Sequence, residues 1–98
     1  MSRFSELIAQ DKPVLVDFFA DWCGPCKVMS PILKELKDTL GDRISILKID
    51  VDKNQTLASK LQVKGVPTLI LYKSGNQVWR QSGVVQKNDL LHIIEHSN

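Results

Sequence analysis

The spacing of apolar residues changes along the chain, and each change marks an element. Phe4, Leu7 and Ile8 recur at helical spacing, with Ser2 and Ser5 near the start. A short first helix is expected there, ending before Lys12-Pro13, because the residue before a proline avoids helical dihedrals. Val14 to Ala20 is an apolar run broken only by Asp17. Its Val and Phe content predicts a buried central strand. Asp21 to Pro25 reads as a turn. Val28, Ile32, Leu36 and Leu40 then repeat every fourth residue, and Met29 and Leu33 widen the stripe. This is the pattern of an amphipathic helix ending near Gly41. Pro31 lies inside it, where a missing N–H and a clash with the Lys27 carbonyl predict a kink.

Ile44 to Val51 is a second apolar run, carrying Lys48 and Asp50. It is expected to be a parallel strand covered on both faces. Asn54 can cap a short helix bearing Leu57, Ala58 and Leu61, which Gly65 should break. Thr68 to Tyr72 reads as a third strand. Ser74-Gly75 centres a turn, and Gln77 to Gln81 reads as an antiparallel partner. Gly83 interrupts the chain before a last helix marked by Leu90, Leu91 and Ile94, with Gln86 as a weak cap. Phe4, Phe18, Leu36, Leu40, Ile46, Ile49, Leu69, Leu71, Leu90 and Ile94 are core candidates. Tyr72 is expected to flank the sheet, and Trp79 to pack on the hairpin. The first β-α-β unit requires parallel strands with a right-handed crossover, and the second half supplies a hairpin. The fold class is therefore α/β, with a mixed sheet and helices on both faces.

Length and charge limit what such a fold can do. At 98 residues the chain predicts a single domain over residues 1–98. It leaves little space for a large enclosed cofactor. Hydrophobic residues at 43% and charged residues at 24% describe a globular chain, not a disordered one. A net charge of +2, with no basic block, demands neither nucleic acid nor an anionic membrane as partner. No apolar run reaches signal-peptide or membrane-spanning length, so a cytoplasmic location is expected.

The chemistry concentrates in the only two cysteines, Cys23 and Cys26. A bridge closing so small a loop would add little stability, so the pair is a poor brace and a better chemical device. It follows a strand and opens a helix. Free N–H groups and the helix dipole stabilise negative charge there, so Cys23 should have a lowered pKa. Its thiolate can attack a disulfide, and Cys26, about one turn on, can resolve the mixed disulfide. Gly24 and Pro25 keep the bend compact, and Trp22 can shield one side. Half of a Cys₄ zinc site is an alternative, but no second pair exists. His92 and His96 could complete a metal site only if the fold brought the last helix back to the cysteines. A zinc ion shared by a dimer and an inert surface dithiol are the remaining readings.

The segment Val16-Asp17-Phe18-Phe19-Ala20-Asp21-Trp22-Cys23-Gly24-Pro25-Cys26-Lys27 resembles the active-site segment of the thioredoxin family. Pro31, Val63-Lys64-Gly65-Val66-Pro67-Thr68, Lys73-Ser74-Gly75 and Gly83 match that family in order and spacing. The resemblance covers roughly Phe4 to Ile94. It implies a thioredoxin-like three-layer sandwich with four strands, or five if a short strand precedes the first helix. Only Met1 to Arg3 stand there, so that strand is expected to be missing or vestigial. Phe19 replaces a tryptophan common in the family, and Gln86 replaces a better cap. By resemblance, Asp17 is a buried carboxylate beneath Cys26 that exchanges a proton with it, and Lys48 is its partner. Pro67 is expected to be cis and to lie against the cysteines. Val66 would offer backbone groups to an extended substrate, and Gly83 and Val84 would complete an apolar groove with Trp22. Bland alternatives are a tolerated strand-end charge for Asp17, a snorkelling lysine for Lys48 and a simple turn for Gly83.

The function these residues suggest is reduction of protein disulfides through a Cys23–Cys26 pair. No glycine-rich dinucleotide fingerprint is present. No bound cofactor is therefore expected, and reducing equivalents would come from NADPH through a separate thioredoxin reductase. The resemblance implies that reductase and oxidised clients as partners, among them ribonucleotide reductase, peroxiredoxin and methionine sulfoxide reductase. A monomer is expected. An oxidase or isomerase of folding proteins, and a non-redox binding subunit, are the competing functions.

Overall fold

Central strands must be apolar on both faces, and β1 (Val14–Phe19) meets that demand apart from Asp17. In the computed structural model, which describes residues 3–97, β1 pairs parallel with β2 (Ser45–Asp50) and antiparallel with β3 (Thr68–Lys73). β3 pairs antiparallel with β4 (Asn76–Ser82). Among the described residues the sheet has four strands in the order β2-β1-β3-β4. The expectation of a missing or vestigial strand ahead of the first helix falls on residues 1 and 2, which lie outside those described.

Side chains alternate across a strand, so β1 feeds two separate cores. Val14, Val16 and Phe18 pack with Ile8, Ile70 and Tyr72 under α1 (Arg3–Ile8) and α3 (Gln55–Lys60). Leu15 joins Met29, Leu33 and Leu36 of α2 (Gly24–Leu40) and Leu90 and Ile94 of α4 (Lys87–His96). Helices thus cover both faces in three layers. Each fully buried Leu or Phe stabilises this arrangement by about 1.5–3 kcal/mol relative to exposure. Asp17 shares the Leu15 side of β1 and therefore lies under α2.

Several local expectations are corrected. β2 is parallel to β1 but forms an edge of the sheet, so its residues are only half-buried and Lys48 is exposed. α3 ends at Lys60, before Gly65, because Gln62 takes the left-handed position with φ of 55°. The Arg80 guanidinium supports that turn, donating from Nη1 to the Leu61 carbonyl at 2.6 Å and from Nη2 to the Gln62 carbonyl at 2.8 Å. Asn54 precedes α3, but its side chain donates to the Asp50 carbonyl instead of capping. Tyr72 is buried, not peripheral, with its hydroxyl unpartnered and burial raising its pKa. α2 runs through Pro31 to Leu40, the extent that the spacing predicts.

The β3–β4 hairpin turns on two residues, Ser74 and Gly75, with φ of 52° and 82°. Such a pair of positive φ values matches the twist of the flanking strands. The turn also anchors both outer helices. The Gly75 N–H donates to the Ile8 carbonyl of α1 at 3.0 Å, and Lys73 Nζ donates to the carbonyls of Ile94 and Ser97 at the end of α4.

Candidate active site

The two parallel strands β1 and β2 end at the same edge of the sheet, where their following loops meet. The β1 loop leads through Trp22 into α2. Cys23 is the N-cap of that helix, with extended dihedrals of φ −86° and ψ 112°. Its Sγ accepts a hydrogen bond from the Cys26 N–H at 3.1 Å. That N–H is one of the donors that a helix start leaves without a partner inside the helix. Sulfur therefore occupies the place where Ser or Asp oxygen usually sits. Pro25 costs nothing in the first turn, because its missing N–H would have had no partner there. Cys23 and Cys26 are joined as a disulfide, with their Cα atoms 5.3 Å apart. Both are buried, at 3% and 6% exposure, against Ala20, Phe19, Val51 and Val66. Burial alone does not rank the two sulfurs; the N-cap hydrogen bond singles out Cys23.

Asp17 is 1% exposed, and neither carboxylate oxygen has a hydrogen-bond partner. Desolvation raises its pKa from 3.8 to about 6, against the lowering influence of Lys48. Asp17 and Lys48 are register partners on adjacent strands. Lys48 Nζ nevertheless donates to Ser30 Oγ at 3.0 Å and lies 5.5 Å from the centre of the Phe19 ring. Lys48 acts on Asp17 through space and not through a hydrogen bond.

The Val66-Pro67 bond is cis, and Pro67 is buried at the start of β3. Val66 packs against the cysteine cluster. Among the described residues no hydrogen bond occupies its main-chain N–H or C=O. Trp22, Val51, Val63, Lys64, Gly65 and Val66 line a shallow depression of about 100 Å³ beside the cysteines. Gly83 and Val84 do not line it. The Gly83 N–H donates to the Pro67 carbonyl at 2.8 Å, with φ of 96°, and Val84 packs on the core beneath α2 and α4. A larger cavity of about 450 Å³ lies between Phe4 and α3, away from the sulfurs.

One site residue escaped the sequence reading. Trp22 is 71% exposed, yet its indole Nε1 donates to Asp52 Oδ2 at 2.9 Å. Asp52 is held in turn by its N–H donating to Asp50 Oδ1 at 2.9 Å. The usable signal was topological: residues just past the ends of two parallel neighbouring strands come together. His92 and His96 lie in the last turns of α4 and do not join the cysteines. No group of three or more His, Cys, Asp or Glu gathers to hold a metal among the described residues.

The thioredoxin family model matches residues 1–96. The chain belongs to the thioredoxin family. It is 48% identical over 97 residues to thioredoxin Y2, chloroplastic, of Arabidopsis thaliana, covering 98% of this chain and 58% of that protein. It is 41% identical over 92 residues to the thioredoxin of Rickettsia felis, covering 94% and 88%. Among solved structures, a mutant thioredoxin from Halobacterium salinarum superposes with a TM-score of 0.87 at 39% identity, covering 97% of this chain and 82% of that one. The chain spans little more than half the length of the plant thioredoxins it matches. The four-stranded sheet and flanking helices are those of the thioredoxin fold, and the Trp-Cys-Gly-Pro-Cys segment sits at its helix N-terminus as the family's redox motif does.

Proposed function

We propose that this chain is a protein-disulfide reductase that works by dithiol–disulfide exchange through Cys23 and Cys26. The observation that carries the reading is the Cys23 sulfur at the α2 N-cap, taking the Cys26 N–H, with the buried Asp17 under the same helix. In the reduced protein the Cys23 thiolate attacks one sulfur of a client disulfide. The client's other sulfur leaves as a thiolate, and a mixed disulfide forms. The Cys26 thiol must then lose its proton, and Asp17, with a pKa of about 6, is suited to receive it. The Cys26 thiolate attacks Cys23 Sγ and displaces the second client thiolate. Two electrons have passed to the client, and Cys23–Cys26 is left as a disulfide.

The exposed Trp22 face and the free main-chain groups of Val66 support strand-like docking of an extended client segment. Family membership supports a reductase and disulfide clients as partners in general. We assign the recharging step to a thioredoxin reductase that draws on NADPH, and the clients to ribonucleotide reductase, peroxiredoxin or methionine sulfoxide reductase. A cytoplasmic location belongs to the same proposal, because a lone exchangeable pair suits a reducing compartment.

The test is reduction of insulin disulfides coupled to thioredoxin reductase and NADPH. Turnover that requires both cysteines is expected. Reference potentials are about −270 mV for thioredoxins and about −120 mV for strong dithiol oxidants, so equilibration against glutathione tells the direction of flow. A value near the oxidant end, without insulin turnover, would overturn the reductase assignment.

A further inference from the structure

The C-terminal turns of α4 present a second chemical feature, unrelated to the cysteines. His92 and His96 are exposed and four residues apart, so they lie one above the other on a single helix face. Their rings stack with centroids 4.2 Å apart and planes 28° from parallel. We propose that His92 and His96 form a two-imidazole chelate for a divalent transition-metal ion, with Cu²⁺ the preferred occupant.

The hydrogen bonding favours this assignment. His96 Nδ1 lies 2.8 Å from the His92 carbonyl oxygen. A carbonyl can only accept, so Nδ1 carries the proton. Nε2 of His96 keeps its lone pair and is the ligand atom. A backbone carbonyl on the far nitrogen is the outer support usual for metal-binding histidines, fixing tautomer and ring orientation together. An ion about 2.0–2.1 Å from each nitrogen can bridge nitrogens up to about 4.2 Å apart. The stacked rings point their nitrogens along nearly parallel planes, so the exposed His92 ring swings off the stack to meet the ion that His96 Nε2 holds. Paired histidines one helical turn apart are also the ligand arrangement of helical zinc sites.

Two imidazoles leave the remaining positions to water or to an external ligand, since no third His, Cys, Asp or Glu gathers among the described residues. Nitrogen donors without geometric enforcement bind first-row ions in the order that peaks at Cu²⁺. The site also lies far from the dithiol. The end of α4 is tied to Lys73, beside Tyr72, which pairs with Val14 at the start of β1. The cysteines follow the other end of that strand, so its six residues, about 20 Å of extended chain, separate the two sites.

The experiment uses the oxidised protein, in which the cysteine sulfurs are bonded to each other and are not thiolate ligands. CuCl₂ is titrated under calorimetry and electron paramagnetic resonance. One equivalent with nitrogen coupling from two imidazoles is expected. His92→Ala and His96→Ala should each weaken binding by about tenfold or more, scaled from the 10–100-fold cost of disturbing even an outer-shell partner. Far-ultraviolet circular dichroism of the metal-free variants should match the parent, since both side chains are exposed. The insulin turnover of H92A/H96A should also equal the parent's. Absence of binding, or equal Cu²⁺ affinity in the parent and in H92A/H96A, would overturn the site.

Discussion

Lys48 sits directly beside Asp17 in the β1–β2 register but turns its ammonium to Ser30, leaving the carboxylate without a hydrogen bond. A Coulombic influence that acts without contact is removable without disturbing packing. Lys48→Met should therefore push the Asp17 pKa further above about 6, because it deletes the one influence that lowers it. Carboxyl-carbon NMR titration of Asp17 reads this directly. An unmoved midpoint would refute the through-space coupling.

The raised Asp17 pKa also has a consequence for stability. Between pH 3.8 and about 6 the native state keeps a proton that the unfolded chain has released. Stability therefore falls as pH rises through that window. The full difference, present above pH 6, is about 3 kcal/mol at 1.36 kcal/mol per pH unit. Asp17→Asn should be more stable than the parent at pH 7 by up to that amount. The advantage should shrink below pH 6 and vanish near pH 4, as measured by urea unfolding. The same variant should slow resolution of the mixed disulfide at neutral pH, for want of a proton acceptor.

Removing Cys26 separates attack from resolution. Cys26→Ser should still form the mixed disulfide with a client but not release it, so the adduct should accumulate and be visible by mass spectrometry. Cys23→Ser should form none. Iodoacetamide reactivity of C26S should titrate below the ordinary thiol value of about 8.5 if the N-cap position stabilises the thiolate. An adduct through Cys26 alone would reverse the roles.

Asp52 fixes an indole that is otherwise largely in water. Asp52→Ala should loosen Trp22, change its fluorescence, and lower kcat/KM for a protein disulfide by about fivefold, the worth of one hydrogen bond of about 1 kcal/mol. Asp52→Asn keeps an acceptor oxygen and should lose less. Small disulfides that do not span the Trp22 face should be reduced at the parental rate by both variants.

Arg80 closes the turn that leads into Val66-Pro67 through two carbonyl contacts. Arg80→Met keeps much of the apolar stem and deletes both. A loss of about 1.5–3 kcal/mol is expected, as for hydrogen bonds to a charged group. Hydrogen exchange should quicken first in residues 61–66, and Arg80→Lys should restore part of the protection.

Much of this fold and site is legible in the amino-acid sequence. The Val14–Phe19 run and the four-residue spacing from Val28 to Leu40 are strong periodic signals, and they frame the cysteine pair in its strand–turn–helix setting. The losses have physical causes. β2 looked buried because Ile46, Leu47 and Ile49 are apolar, yet an edge strand can carry such residues half-covered. The end of α3 was misplaced because Gln62, not a glycine, takes the left-handed turn, and Arg80 makes that tolerable from a distant strand. Asp52 carries no local signal, because its partner lies thirty residues away, and only the shared end of the two parallel strands points to it. Lys48 faced Asp17 as expected in register, but which atom its ammonium meets is decided by Ser30 on α2.

Because the Ser74-Gly75 turn holds α1 through Ile8 while neighbouring Lys73 holds the end of α4, both outer helices are moored at the pole remote from the sulfurs. Cargo or a tether joined beyond α4 would hang from that side. The reactive face would stay open to large clients even when the domain is mounted on a surface through that end.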